Sequence, residues 1–426
     1  MRYYNIKSFK KSSFLISIFK QEKKKVKAKE STISVKKLVL IDTLKRIVLN
    51  DTLLLKDFGT DSIKNIELFF EKIKNKQKKI RVAYFGDSMI EGDLVTQDLR
   101  RSFQDWLGGS GVGFVPITSI TAGFRQTIIH KFSENWSNTN LVDYKKNNEF
   151  PPGISGYSYI ANSNETSWAE YTAVYKEKLN SLKNFRLFYG KTNSEFNLKL
   201  NFSKRDSITN LTGNNLFNEF ALGDKFEFKK IKMEISAKEK FPIYGCSFES
   251  DSGFILDNYA FRGNSGLPLT KIPLDLLKAS QEKLQYDLII LHYGLNVISE
   301  KSEDYNWYKI GMERMLSYFK RAFPNTSFLI VSVSDKSYVN EEGVYETILS
   351  LENLVEMQEF LAKEKKMAFF NLYQSMGGYN SMVLWADSIY PLANKDYTHL
   401  NFRGSKKVSN LIFNSFKNNY ELWQKK

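Results

Sequence analysis

The chain has 426 residues, 42% of them hydrophobic and 15% aromatic, which is ample apolar material for sizeable cores and excludes a disordered polymer. Its formal net charge is +15, and residues 1–50 alone hold 14 Lys/Arg against 3 Asp/Glu, so the basic character belongs to an N-terminal arm rather than to the body. The single cysteine, Cys246, excludes an intrachain disulfide and a cysteine-based metal site; three histidines without zinc spacing and the lack of a GxGxxG or full GxxxxGK[ST] segment leave no cofactor or metal expected.

In chain order, the basic arm (1–50) is a solvated tail or a contact for an anionic membrane or cell-wall surface. It lacks the aromatic interleaving of a nucleic-acid binder, and no nucleic acid is expected. Its run 14–19 (FLISIF) follows basic residues as an export signal begins, but Lys20 ends it without a small-residue cleavage site. No stretch approaches the roughly 20 apolar residues of a membrane span. Residues 61–76 (DSIKNIELFFEKIKNK) predict an amphipathic helix capped by Asp61 or Ser62. The run RVAYFGDS then reads as a buried strand ending in a functional loop, followed by a helix over 94–106 that Gly108 and Gly109 terminate.

The texture changes over 157–250. Segments such as YSYIAN, AEYTAVY, FRLFYG and FNLKLNF alternate with period two and are rich in aromatics, which predicts antiparallel strands, enough for a small sandwich. From about 253 strands and helices alternate again: GFILDNYAF, YDLIILHYG, a helix over 304–322, TSFLIVSVS, a helix over 341–365, and MAFFNLY. That alternation predicts a doubly wound, mostly parallel sheet. The economical division is 1–50 as the arm, 51–150 and 251–426 as one α/β domain, and 151–250 as a β module inserted into it.

Four short segments fall after predicted elements: Gly86-Asp87-Ser88, Gly263-Asn264-Ser265-Gly266, Gly294-Leu295-Asn296 and Asp396-Tyr397-Thr398-His399. Each alone is a common turn. Together, at the carboxyl edge of one parallel sheet, they make a coherent site. A serine hydroxyl needs a base, and imidazole titrates near neutrality, which fits Ser88 and His399. Asp396, three residues before His399, is spaced to hold its ring. The N–H groups of Ser88 and Gly266 and the Asn296 amide are candidate oxyanion donors, with Gly263 the alternative to Gly266.

These blocks resemble those of the SGNH (GDSL-type) hydrolases. GDSMIEGDLVTQDLRRSFQDWLGGSGVGFVPI and SMVLWADSIYPLANKDYTHLNFRG closely resemble bacterial O-acetylpeptidoglycan esterases, which carry an inserted carbohydrate-binding-like β-sandwich. The resemblance spans roughly 80–420. It implies an SGNH-type, flavodoxin-like parallel sheet with helices on both faces. It also implies Ser88 as nucleophile, Asp396 and His399 as its partners, Asn296 as oxyanion donor, an O-acetylated glycan as substrate and a periplasmic or cell-envelope location. An O-acetyltransferase would use the same triad, and a non-catalytic glycan-binding protein is the alternative of another class. Val297 departs from the acidic residue that many members have after the asparagine. His130 and His292 read as structural. Arg125 is either a surface ion pair or a cation near the site, and Trp385 either stacks on a sugar or closes the core.

Overall fold

The computed structural model describes residues 55–426 apart from 61, 76–77, 162–164, 175–178, 180, 203–204, 224–225 and 301–303; the basic arm lies outside the described residues. Strands β1 (Leu55–Asp57), β2 (Lys79–Gly86), β3 (Gly253–Ala260), β4 (Leu288–His292), β5 (Ser327–Val331) and β6 (Ala368–Phe370) form one sheet in the order β1-β6-β5-β4-β2-β3. Its neighbours run parallel except β1, which lies antiparallel on β6, so the sheet is mixed at one edge. The inner strands are apolar runs buried on both sides, as parallel strands under helices must be.

Helices α1 (Ile66–Lys74), α2 (Thr96–Leu107), α3 (Leu274–Leu284), α4 (Asn306–Ala322), α5 (Leu351–Glu364), α6 (Leu372–Met376), α7 (Ser381–Asp387) and α8 (Phe402–Gln424) accompany it. Phe103 of α2 stacks on Phe254 of β3, while Phe319 of α4 packs edge-on against Phe85 of β2. Phe254 is level with Ile80, and side chains alternate along a strand, so Phe254 and Phe85 point to opposite faces. Helices therefore cover both faces.

The predicted elements are present, with shifted ends. The helix expected over 61–76 starts only at Ile66, because Asn65 spends its side chain on β5: its amide donates to the Phe328 carbonyl at 3.1 Å and its oxygen accepts the Phe328 N–H at 2.8 Å. Ser62 is not its cap, and Asp61 lies outside the described residues. The helix expected over 341–365 begins at Leu351; before it, Ser337–Val339 pairs with Tyr345–Thr347 around Gly343, whose φ of +75° suits glycine.

Two antiparallel sheets lie between α2 and β3 in sequence. One has the strand order 205–211, 196–202, 230–237, 167–173, 128–132; the other runs 218–221, 185–189, 242–248, 157–160, 137–140, with 113–115 also pairing on 242–248. They share a second apolar cluster, in which Tyr171, Leu198 and Met233 of the first meet Leu187, Ile243 and Cys246 of the second. These strands begin at Gly113, ahead of the boundary expected at 151. The segment RQTIIHKF did not read as a strand because its buried side is short and includes His130.

A buried ion cluster joins the two parts. Arg81 of β2 donates to Asp257 of β3 at 2.7 Å and to both oxygens of Glu249, while Arg186 of the antiparallel sheet reaches the same Glu249 at 2.7 Å and Glu219 at 2.6 Å. Burial pushes the Glu249 carboxyl up, but Arg81, Arg186 and Lys79 outweigh it and hold the group well below the usual carboxylate range. Such clusters contribute little net stability but are costly to break singly.

Candidate active site

Strand register builds the site's floor. Gly86 of β2 is level with Ala260 of β3 and His292 of β4, so the chain leaves three adjacent parallel strands at the same edge. Just past those ends come Ser88, the 263–266 loop and Asn296. A Cβ on Gly86 would stand 3.0 Å from the Ile90 side chain, and one on Gly294 (φ +120°) 2.7 Å from Val333. The turn at Gly294 excludes a side chain, whereas at Gly86 one would fit only if Ile90 gave way.

His399 arrives from the stretch between α7 and α8. Its carbonyl accepts from Asn394 N–H at 2.8 Å, Tyr397 stacks on Tyr345 with centroids 3.8 Å apart, and Asn401 caps α8 by accepting from Arg403 and Gly404 N–H at 2.9 and 3.1 Å. The result brings Ser88, His399 and Asp396 together. Ser88 Oγ lies 3.0 Å from His399 Nε2, and His399 Nδ1 lies 2.8 Å from Asp396 Oδ2. The other Asp396 oxygen accepts from the N–H groups of Thr398 and His399, each at 3.0 Å. Partial burial raises the Asp396 carboxyl, but the donors from His399 and Thr398 outweigh it and hold the group below its usual value. A charged Asp396 takes the Nδ1–H, which leaves Nε2 free to accept from the serine hydroxyl.

The expected oxyanion donors gather here too, but two of them are occupied. Gly266 N–H donates to Asn264 Oδ1 at 2.8 Å. Asn296 Nδ2 donates to Asp87 Oδ2 at 2.9 Å and to the Asn264 carbonyl at 3.2 Å. Asn264 thus holds both donors, and its own Nδ2 is buried without a partner. Gly263, at φ +73°, makes no close approach that a Cβ would disturb.

Sequence reasoning missed three supports. Asp87, inside the GDS segment, is buried, and its carboxylate accepts from Met89 N–H at 3.0 Å and from Asn296; burial raises its pKa to about 6 against those hydrogen bonds. Asp87 supplies the carboxylate for the Asn296 loop, while Val297 packs against the apolar core. Asp93 ends the Ser88–Asp93 turn, and its carboxylate takes Arg100 bidentately at 2.8 Å, Thr96 and Thr127 hydroxyls at 2.7 Å and Arg125 at 3.3 Å. Asn264 is the third. The signal for Asp87 and Asp93 was their place in GDSMIEGD, where acidic residues pass as turn formers.

Other residues resolve as follows. Arg125 is a buried partner of Asp93, neither a surface pair nor a free cation. Trp385 is buried in the core. His130 Nε2 meets the Ile117 carbonyl at 3.0 Å, and His292 Nδ1 meets the Tyr84 hydroxyl at 3.2 Å; burial lowers both imidazoles to about 4, so each is neutral near pH 7.

No family model and no curated protein matches the sequence. Among solved structures, a peptidoglycan O-acetylesterase is similar in fold over 86% of this chain and 99% of its own, with a TM-score of 0.69 and 19% identity. That likeness shows the fold. An acetyl xylan esterase (15% identity, 38% of this chain and 81% of its own, TM-score 0.30) also matches. So does a family two carbohydrate esterase from Clostridium thermocellum (9% identity, 66% and 98%, TM-score 0.28).

Proposed function

We propose that the protein is a serine esterase that removes O-acetyl groups from a cell-wall polysaccharide, O-acetylated peptidoglycan, at the cell envelope or periplasm. The carrying observation is the continuous hydrogen-bonded chain from Ser88 through His399 to Asp396. The similar fold of a peptidoglycan O-acetylesterase supports the choice of substrate. We read the paired antiparallel sheets as a sandwich module of carbohydrate-binding type.

In the reaction, Ser88 Oγ bonds to the acetyl carbonyl carbon as its proton passes to His399 Nε2. The carbonyl oxygen becomes an oxyanion and meets the N–H groups of Ser88 and Gly266 and the Asn296 amide, the last two exchanging their internal acceptors for it. Collapse breaks the bond to the sugar oxygen, which takes the proton from His399 and leaves as the free hydroxyl. Water, deprotonated by His399, then releases acetate and restores Ser88. The His399 and Asp396 side chains are 38% and 48% exposed, an open setting that a polymer chain can reach.

Acetate release from O-acetylated peptidoglycan, measured beside p-nitrophenyl acetate hydrolysis, tests the reading. The proposal expects wild type to turn over both and Ser88→Ala neither. Hydrolysis of the small ester alone removes the glycan assignment, and inertness on both removes the esterase. Acetyl transfer to an added glycan acceptor outrunning hydrolysis makes the protein a transferase.

A further inference from the structure

A cavity of about 140 Å³ lies beside the Ser88 turn, walled by Glu91–Asp93, the 116–125 loop, strand residues of the antiparallel sheet, and the 258–262 segment that leads to Gly266. None of Ser88, His399 and Asp396 borders it. It is walled by the turn that carries the nucleophile and by the segment that approaches the oxyanion loop.

Its chemistry is selective. The Ser155 hydroxyl borders the cavity, is buried, and has no hydrogen-bond partner. An unsatisfied buried hydroxyl is costly, and a ligand or water repays that cost. Tyr157 and Tyr159 line it side by side, their rings stacked at 5.9 Å, and Tyr157 also stacks on Phe261 at 4.7 Å, an aromatic wall. Asn138 and Ser119 add an amide and a hydroxyl. The charged groups bordering the cavity among the described residues are matched: Arg262 pairs with Glu91 at 2.5 Å, and Arg125 with Asp93. No cation is left over for an anionic ligand. A cavity of about 150 Å³ can hold a benzene molecule, so this one is of the size of a single six-membered ring.

Resting on the esterase reading above, we infer that this cavity is a subsite for one neutral pyranose of the glycan, other than the unit that carries the ester. Ser155, Tyr157 and Asn138 bind its hydroxyls and ring face. The subsite selects polymer over small esters and leaves the chemistry at Ser88 untouched.

The test compares kcat/KM on O-acetylated glycan with kcat/KM on p-nitrophenyl acetate, in Tyr157→Ala and in Asn138→Trp. Asn138 is exposed, so the tryptophan plugs the mouth without burdening the core. The ratio of glycan to small-ester kcat/KM should fall about tenfold, the worth of one or two neutral hydrogen bonds. An unchanged ratio, whether both activities drop together or neither moves, overturns the subsite. If wild type deacetylates no glycan, the glycan assignment fails, and binding decides the cavity separately. Ser88→Ala protein titrated with an N-acetylglucosamine tetramer should then bind, with binding lost on adding Asn138→Trp; no binding, or binding indifferent to the plug, removes the inference.

Discussion

Asp93 and Asp396 flank the same Ser88–His399 hydrogen bond from opposite environments. Asp93 is 2% exposed, gripped by Arg100 and Arg125, and ends the turn that carries Ser88. Asp396 is 48% exposed by side chain and takes its donors from its own loop, three residues apart at most. The nucleophile is therefore positioned by a buried network that also holds the fold, whereas the base is positioned by local bonds open to water. Substitutions on the first side should cost stability, and substitutions on the second should cost rate with the fold intact.

The largest effect is expected on the chemistry. Ser88→Ala should lower kcat by about 10⁴–10⁶-fold while the melting temperature stays close to wild type, since a half-buried hydroxyl is all that is lost. Asp396→Asn should cut kcat by about 10²–10⁴-fold, also with little change in melting, because the amide no longer fixes the imidazole tautomer. A large loss of stability in either variant would contradict the division drawn above.

Asp93→Asn is the converse. Removing the charge leaves Arg100 and Arg125 buried without it, a loss of about 3–5 kcal/mol by chemical denaturation. The Asp93 carboxyl is held well below its usual range: burial raises it, but the two arginines outweigh burial. Its contribution is thus fully present above the ordinary carboxylate pKa and is lost as pH falls through the lowered value.

The smallest effect is at Asp87, whose pKa is raised to about 6. The native state keeps this proton where the unfolded chain releases it, so stability falls as pH rises from about 4 to 6. Asp87→Asn should flatten melting temperature against pH in that window. It should also lower kcat about tenfold with KM little changed, by loosening Asn296. A profile identical to wild type would mean that Asp87 does not titrate there.

Much of this was legible in the chain. The apolar runs of β2, β4 and β5 announce buried parallel strands, and the alternation in 196–202 announces an antiparallel one. The residues at the strand ends could be named because their chemistry fits side-chain type and order. What stayed hidden depends on burial and on partners distant in sequence. Asn65 falls inside the helix expected over 61–76 until it is seen to bond Phe328. Arg125 looks like a surface cation until Asp93 is seen beneath it. That Asn264 holds both expected oxyanion donors is a matter of loop geometry, which no spacing encodes.

The most direct test is to mix the protein with an acetyl ester, quench in acid within one turnover, and map the mass of one added acetyl group by peptide analysis. The account predicts that it sits on the peptide containing Ser88 and is absent from Ser88→Ala. An acetyl group on another residue, or full turnover by Ser88→Ala, would contradict it.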